Sequence, residues 1–271
     1  MSLHEVRRRY AGKAPQEWER LQSTPITRIE YLITRHCLQR HLPGSGLILD
    51  AGCGPGRYTI DLAQQGYRVV MFDLVREMLQ LGRAKVASSG LGARVTNPVE
   101  GDIAALPYAE GAFDAVLCLG APLSHLTAAQ ERTRAVNEFA RVLRPGGTAF
   151  LTGIGRLAAY RGAIYWRDWS FFDQYLTAEA RASGIAQGSQ VWYMFAPAEL
   201  ESLIEDAGLE IVDRVGCEGL AQYLPMAHLA QIEADRKRWP AWVEMLIETC
   251  NEPTIVGMSN HLLVIARKGA H

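Results

Sequence analysis

Apolar runs alternate with amphipathic segments along most of this chain. Five apolar runs have the length of buried strands: 47–49, 68–72, 95–100, 113–119 and 148–152. Four segments have the spacing or end signals of helices: 15–42, 58–65, 77–88 and 128–143. Strands that alternate with helices across short loops are typical of a parallel sheet that carries helices on both faces.

The regular order is interrupted after residue 155 by a segment rich in Phe, Trp and Tyr, which runs to residue 195. A helix at 197–207, a strand near 209–215, a helical stretch near 225–250 and a final strand at 261–267 follow. We therefore predict an α/β fold with a Rossmann-like doubly wound sheet. The sheet is mostly parallel, with one antiparallel strand near the C-terminus, and an inserted helical and aromatic cap interrupts it.

The amino-acid composition argues against several classes of protein. The 271 residues have a formal net charge of −1, so broad binding to a polyanion has no support. The five cysteines are scattered and include no C-x-x-C, which argues against a disulfide framework or a zinc site. We find no signal peptide and no apolar run long enough to cross a bilayer, and we expect a soluble, cytoplasmic protein without a metal.

A glycine-rich turn follows the first predicted strand, at 50–56, where ligands of open parallel sheets bind. Its spacing is G-x-G-x-G, and residue 57, where a dinucleotide fingerprint needs its third glycine, is Arg57. The preceding Asp50 would repel a pyrophosphate at this position. The turn therefore favours a cationic cofactor that carries an amino acid over a dinucleotide.

Two further acidic residues follow predicted strands in the same half of the chain. Asp73 ends the second strand and could accept the hydroxyl groups of a ribose. Asp102 follows the third strand and could accept an adenine amino group. The three acidic positions in this order make a stronger signal than any one of them.

At this point the sequence resembles the class I S-adenosylmethionine (SAM) dependent methyltransferases, especially the bacterial small-molecule methylases. The resemblance rests on residues 49–58, 72–79, 100–103, 113–116, 120–125 and 143–147. It implies SAM as cofactor and S-adenosylhomocysteine as product. It implies that the glycine turn holds the methionine part, Asp73 the ribose, Asp102 and Ile103 the adenine, and the backbone at Leu119 and Gly120 the sulfonium end. The full set of expected cofactor-binding residues is Tyr10, Arg28, Asp50, Ala51, Gly52, Cys53, Gly54, Gly56, Tyr58, Asp73, Leu74, Met78, Asp102, Ile103, Leu119 and Gly120.

The expected domain organisation follows from these assignments. Residues 1–45 form a helical segment that covers the cofactor, and Tyr10 and Arg28 lie on it, Arg28 as a partner for the cofactor carboxylate. Residues 46–155 and 197–271 form the SAM-binding core. Residues 156–196, with 225–250, form a substrate cap.

The expected reaction is methyl transfer to an O or N atom of a small molecule. His125, after the fourth strand, is the candidate general base, whereas we expect His261, which opens a strand, to be structural. The expected substrate-binding residues are Tyr165, Trp166, Trp169 and Arg161 of the aromatic segment. The sequence leaves open whether the protein is a monomer or a homodimer.

Three other functions remain open at this stage. Residues 248–253 and 261–268 resemble the ending of bacterial methylases that esterify a carboxyl group on a tRNA wobble uridine, although the chain lacks an evident basic face. A non-enzymatic SAM-binding protein is a second alternative. A nucleotide-dependent oxidoreductase is the third, and Arg57 in place of glycine argues against it.

Overall fold

The computed structural model describes residues 2–186 and 191–270, and its centre is a nine-stranded sheet. The strands are β1 (Leu47–Ala51), β2 (Arg68–Asp73), β3 (Val99–Glu100), β4 (Phe113–Cys118), β5 (Leu143–Gly155), β6 (Ile185–Ala186), β7 (Trp192–Phe195), β8 (Leu209–Gly216) and β9 (His261–Lys268). The order β3-β2-β1-β4-β5 is parallel throughout, and β9 pairs antiparallel with both β5 and β8. The predicted Rossmann-like sheet with an antiparallel strand near the C-terminus is confirmed.

Helices cover both faces of the sheet. They are α1 (Leu3–Tyr10), α2 (Ala14–Arg20), α3 (Pro25–His41), α4 (Arg57–Gln64), α5 (Arg76–Ser88), α6 (Ala129–Val142), α7 (Arg156–Tyr165), α8 (Trp169–Asp173), α9 (Ala178–Ser183), α10 (Pro197–Glu205), α11 (Met226–Ala234), α12 (Arg238–Thr249) and α13 (Pro253–Met258). Two short 3-10 helices span Pro122–His125 and Gly219–Ala221. None of the helices in the described ranges is long and apolar enough to cross a membrane.

The alternation of side chains along β1 shows how the two cores form. Leu49 packs in one core with residues of α6 and α10, whereas the neighbouring Ile48 packs in the other with residues of α3 and α4. Both side chains are fully buried, because each face of a central parallel strand lies under a helix layer. This explains why the strand appears in the sequence as a continuous apolar run.

The predicted single helix at 15–42 is wrong, because two helices occupy this stretch. α2 ends at Arg20 and α3 begins at Pro25. Thr24 caps α3 by accepting a hydrogen bond from the Thr27 backbone N–H at 3.3 Å, and Pro25 takes the first helical position. Proline is favoured there because that N–H lacks a helical partner in any case.

The fifth strand is longer than predicted and carries extra structure. β5 remains paired with β4 as far as Leu151 and continues to Gly155, beyond the end of β4. Ile154 and Gly155 pair with β7, and β6 pairs antiparallel with β7. Part of the predicted aromatic cap is therefore an extension of the sheet. This extension lies beside the carboxyl end of β4.

The sequence groups residues 225–250 with this cap, but in the structure these residues pack mainly elsewhere. Leu229 of α11 and Leu246 of α12 are buried in the same core as Ile29 and Ile33 of α3. These two helices therefore belong to the helix layer of the main core. Just before α11, Tyr223 contacts the Tyr165 ring of α7, and the Leu224 carbonyl oxygen accepts a hydrogen bond from the Tyr165 hydroxyl.

Candidate active site

A cavity of about 160 Å³ lies at the carboxyl ends of β1, β2 and β4, under helices α1 and α2. We call it the cofactor cavity. Thirteen of the expected cofactor-binding residues line it: Tyr10, Asp50, Gly52, Cys53, Gly54, Tyr58, Asp73, Leu74, Met78, Asp102, Ile103, Leu119 and Gly120.

The backbone of the glycine turn lies directly against the cavity, because Gly52 and Gly54 carry no side chain. Gly52 and Gly54 have φ angles of +79° and +53°, which glycine adopts without strain. A Cβ on Gly52 would lie 2.5 Å from Cγ of Pro122, so no larger residue fits. The Gly54 N–H donates to Oδ2 of Asp73 at 2.8 Å, which joins the turn to the end of β2.

Asp73 is held by backbone donors and still has capacity to accept more. Its Oδ1 accepts from the Val75 N–H at 2.8 Å, and its Oδ2 accepts from Gly54. Burial raises the pKa of Asp73 to about 6, against the lowering effect of these backbone hydrogen bonds. Each carboxylate oxygen has a second lone pair, so the side chain suits a ligand that offers two hydroxyl groups.

Asp50 is the second buried carboxyl group of the cavity wall. Thr59 donates its hydroxyl to Oδ2 of Asp50 at 2.6 Å. Burial, with a further contribution from the charge of Asp73, raises the pKa of Asp50 to about 7 although the Thr59 bond opposes the shift. A cationic ligand would stabilise both carboxylates, since an opposite charge favours the ionised form.

An apolar part of the cavity lies beside these carboxyl groups. Its walls are Leu74, Val75, Met78, Ile103 and Leu126. Asp102 stands at the margin, where its Oδ1 accepts from the Ala104 N–H at 2.9 Å. A flat heterocycle with an amino group suits this combination of apolar walls and a carboxylate acceptor.

Three expected cofactor-binding residues do not line the cavity. Ala51 is fully buried in the sheet, and Gly56 caps α4 with a φ of +82°. The structure does not bring Arg28 to the cavity: its guanidinium pairs with Glu233 and with the Gln22 carbonyl oxygen. The sequence could not show this, because Glu233 lies 205 positions further along the chain.

Arg20 is the arginine that lies at the cavity. Its guanidinium donates to both carboxylate oxygens of Glu30, at 2.8 and 3.0 Å. An added Cβ on Gly120 would lie 3.4 Å from Nη2 of Arg20, so the guanidinium covers the end of β4. The sequence interpretation missed Arg20 because it placed this residue within one continuous helix.

A second cavity, of about 430 Å³, adjoins the first. We call it the acceptor cavity. Both cavities are lined by Tyr10, Glu17, Arg20 and Gly120. Further walls of the acceptor cavity are Arg9, Lys13, Ile154, Ala159, Phe171, Ala186, Trp192, Met194, Asn260 and His261.

The structure does not bring the expected substrate-binding residues to either cavity. Tyr165, Trp166 and Trp169 face outward, with 36%, 65% and 54% of their surface exposed, and Arg161 lies over the ring of Tyr223. Other aromatic residues of the same segment, Phe171 and Trp192, line the acceptor cavity instead. The sequence identified an aromatic segment, and the fold decides which of its rings face this cavity, Trp192 on β7 and Phe171 on α8.

His125 lines the cofactor cavity in a setting that disfavours a general base. Burial, together with the charge of Arg9, lowers its pKa to about 3. Its Nε2 shares a hydrogen bond of 2.9 Å with the Tyr10 hydroxyl, and its ring stacks on Trp192 at 4.7 Å. A base is most effective when its pKa lies near the working pH, so His125 is better suited to hold Tyr10 and Trp192 in place.

The comparisons with known proteins agree with this geometry. A family model described as a methyltransferase domain matches residues 48–147. A ubiquinone biosynthesis O-methyltransferase of Xanthomonas axonopodis pv. citri is 29% identical over 216 residues, 77% of this chain and 81% of the relative. A protein of the same name from Xylella fastidiosa is 30% identical over 182 residues, 66% of this chain and 67% of the relative. The chain belongs to the class I SAM-dependent methyltransferases.

A solved structure supports the fold of this methyltransferase over almost its whole length. The 1,6-didemethyltoxoflavin-N1-methyltransferase of Burkholderia thailandensis superposes with a TM-score of 0.58 at 18% identity, and the match covers 99% of this chain and 91% of that one. At this identity the likeness concerns the fold alone.

The residues of the cofactor cavity fit SAM, the cofactor of the family. SAM carries a ribose, an adenine and two positive charges. The cavity offers free lone pairs on Asp73, an apolar slot beside Asp102 and two buried carboxyl groups with raised pKa.

Cys53 lies in the glycine turn, and burial raises the pKa of its thiol well above the usual value, which makes it inert as a nucleophile.

Proposed function

We propose that this methyltransferase moves the methyl group of SAM to an O or N atom of a small molecule bound in the acceptor cavity. One observation carries the proposal. The acceptor cavity adjoins the cofactor cavity along Tyr10, Glu17, Arg20 and Gly120, so an acceptor bound there lies next to the end of β4. The relatives' names support the same class of reaction, since they include O- and N-methyltransferases.

In this proposal the chain acts mainly by binding and orienting. When bound, SAM supplies a methyl group on a positively charged sulfonium. Asp73 would accept the ribose hydroxyls, Asp102 the adenine amino group, and Asp50 would balance the charge of the ammonium group. Holding two reactants in a reactive arrangement can supply about 7–11 kcal/mol of the barrier, so a methyltransferase gains much of its rate in this way.

The walls of the acceptor cavity support a planar acceptor. Phe171 and Trp192 give it aromatic sides, and the guanidinium carbon of Arg9 lies 4.2 Å from the centroid of the Trp192 ring. The Nε and Nη1 atoms of Arg9 are buried and have no hydrogen-bond partner among the described residues. An aromatic acceptor with an anionic group would stack on the rings and satisfy these donors.

The alternative of a tRNA substrate finds no support in the contacts of Arg7 and Arg238, two of the residues that could form a basic face. Arg7 donates to the Leu74 carbonyl oxygen and pairs with Glu100. Arg238 pairs with Asp235, three positions earlier in the loop between α11 and α12. Such arginines are partly neutralised locally, which leaves them less free to contact phosphates.

The test combines cofactor binding with methyl transfer. Calorimetric titration with S-adenosylhomocysteine should give micromolar affinity, which Asp73→Ala should abolish. Radiolabelled SAM should then transfer label to members of a panel of aromatic hydroxyl and amine compounds. Trp192→Ala should lower this transfer at least tenfold without changing the affinity for S-adenosylhomocysteine, whereas Trp169→Ala, outside both cavities, should change neither. Binding without transfer to any compound would favour a non-enzymatic SAM-binding protein.

A further inference from the structure

A buried group of charged residues lies against the wall of the acceptor cavity. Ligand atoms of Glu30, Glu218 and His261 all lie within 4.8 Å of one another. Only 5% of each glutamate side chain and 13% of the histidine side chain is exposed. These residues come from α3, from the loop after β8 and from the first position of β9, so only the tertiary structure brings them together.

The contacts of His261 determine which ring nitrogen is free. Nδ1 lies 2.5 Å from Oε1 of Glu218, and the His261 backbone N–H donates to Oε2 of the same carboxylate at 3.0 Å. A carboxylate is an acceptor, so the proton of the neutral ring lies on Nδ1 and Nε2 carries the lone pair. Nε2 makes no hydrogen bond within the described residues, while His261 lines the acceptor cavity.

The charges around His261 favour its protonated form. Burial lowers its pKa, but the carboxylates of Glu30 and Glu218 outweigh burial, and the net effect is a raised pKa. Arg20 opposes this effect from its position on Glu30. The other charged groups on the cavity wall are Arg9, Lys13 and Glu17. His125, with a pKa of about 3, has no carboxylate partner of this kind among the described residues.

A metal ion is a poor occupant of this group of residues. Arg20 already donates to both oxygens of Glu30, and Nδ1 of His261 is held by Glu218. With Arg20 and a protonated His261, the two carboxylates are balanced by two cations. The arrangement therefore suits a histidine that gains and loses a proton.

We propose that the acceptor atom is a hydroxyl oxygen and that His261, oriented by Glu218, is its general base. This inference rests on the proposed function and narrows it, because an amine or a carboxylate acceptor needs no strong base. The hydroxyl oxygen forms the new bond to the methyl carbon, the carbon–sulfur bond breaks, and its electron pair stays on sulfur. The hydroxyl proton goes to Nε2 of His261, and Glu218 stabilises the resulting imidazolium. Water in the cavity then takes the proton.

A chain of contacts connects His261 with Gly120 at the end of β4. Arg20 covers Gly120 at the end of β4 and donates to Glu30. Glu30 in turn lies 3.8 Å from Nδ1 of His261. His261 and Gly120 both line the acceptor cavity, so one acceptor molecule can reach both.

The experiment uses 4-nitrocatechol, whose visible absorption changes when a hydroxyl group loses its proton. The probe is added with S-adenosylhomocysteine at a pH below its own pKa. The wild-type protein should bind it with the absorption of the anion, because the proton resides on His261, whose imidazolium stabilises the anion. His261→Asn should bind the probe in its neutral form, with at least a tenfold smaller anion signal. His228→Asn, at an exposed position, is the control and should behave as wild type.

A second readout follows the imidazole itself. Histidine NMR of the protein in complex with S-adenosylhomocysteine should show the His261 pKa falling by about 1 unit or more in Glu218→Gln, because removing an adjacent negative charge removes its stabilisation of the cation. The anion signal of the probe should weaken in the same variant.

Each outcome separates the two proposals. An anion signal that persists in His261→Asn, no signal in the wild type, or no binding of the probe would overturn the role of His261 and the hydroxyl acceptor. The methyltransferase proposal would stand in these cases, provided that S-adenosylhomocysteine binds. Failure of S-adenosylhomocysteine to bind the wild-type protein would instead overturn the proposed function.

Discussion

The ion pair between Arg20 and Glu30 provides a quantitative test of the site. Arg20→Met removes the guanidinium but keeps an apolar side chain of similar length. Glu30, with 5% of its side chain exposed, then retains a charge without its main partner and beside Glu218. A buried charge that loses its partner is strongly destabilising, because the carboxylate has neither water nor a cation to stabilise it.

The expected magnitude follows from the exposure of the two groups. Breaking a fully buried pair costs about 3–5 kcal/mol. Because 32% of the Arg20 side chain is exposed, solvent screens part of this interaction, and we expect about 2 kcal/mol at neutral pH. For a chain of this size that corresponds to a loss of about 4–8 °C in Tm.

The pH dependence of this effect has a definite sign. Burial raises the pKa of Glu30, but the charges of Arg20 and His261 outweigh burial, and the folded-state pKa lies below the ordinary 4.5. The pair therefore contributes its full stability above pH 4.5 and loses it as the pH falls through the folded-state pKa. The difference between wild type and Arg20→Met should shrink over the same range.

A double-mutant cycle measured by thermal and urea unfolding tests this reasoning. Glu30→Gln introduced into Arg20→Met should recover about 1 kcal/mol or more, because the stranded charge is removed. Arg214→Met, which breaks the more exposed pair with Glu201, is the matched control and should cost less than about 1 kcal/mol. The explanation is refuted if the double variant is as unstable as Arg20→Met plus an independent loss for Glu30→Gln.

Two further predictions concern the cofactor cavity. Gly52→Ala should lower the affinity for S-adenosylhomocysteine at least tenfold and the stability of the fold by roughly 1–2 kcal/mol. The reason is that alanine is strained at a φ of +79° and that its Cβ would clash with Pro122. Calorimetry measures the affinity, and thermal unfolding measures the stability. Asp50 and Asp73 have pKa values raised to about 7 and 6, so in the free protein they destabilise the fold progressively as the pH rises from 3.8 through 7. The ammonium group of S-adenosylhomocysteine favours the ionised carboxylates, so its binding should release protons at pH 6. The affinity should also increase as the pH rises through this range. Calorimetry in two buffers of different ionisation enthalpy measures the proton release.

Controls separate these effects from general damage. Gly44→Ala, where an added Cβ meets nothing within 4 Å, should bind and unfold as the wild type does. Asp73→Asn should reduce the proton release, because one of the two titrating groups is gone. Equal losses in Gly44→Ala and Gly52→Ala, or binding without proton release at pH 6, would contradict the account of the cavity.

The local parts of the site were predictable because each depends on neighbours in the sequence. A short apolar run that ends in Asp50 and a G-x-G-x-G turn indicates a buried strand followed by a turn that only glycine can make. Asp73 and Asp102 follow the next two strands, and parallel strands bring their carboxyl ends to one edge. Hydrophobic period, glycine positions and strand order were therefore enough to assemble the cofactor cavity.

The substrate side was not predictable from local pattern. The aromatic segment contains many rings, and its composition is the same whether a ring faces a cavity or solvent. The overhang of β5 and its pairing with β7 turn Trp192 inward, while Trp166 and Trp169 remain exposed. The pairing of β5 with β7 therefore determines that Trp192 faces the cavity.

The sequence by itself predicted the fold class from its hydrophobic period, and its resemblance to the class I SAM-dependent methyltransferases predicted the cofactor and the acidic residues that would bind it. The tertiary structure decided which charges meet. Arg28 pairs with Glu233 rather than with the cofactor cavity, Arg20 holds Glu30, and Glu218 holds His261. Such pairs form between residues that are far apart in the chain, and a charged side chain shows its partner only when packing removes both from water.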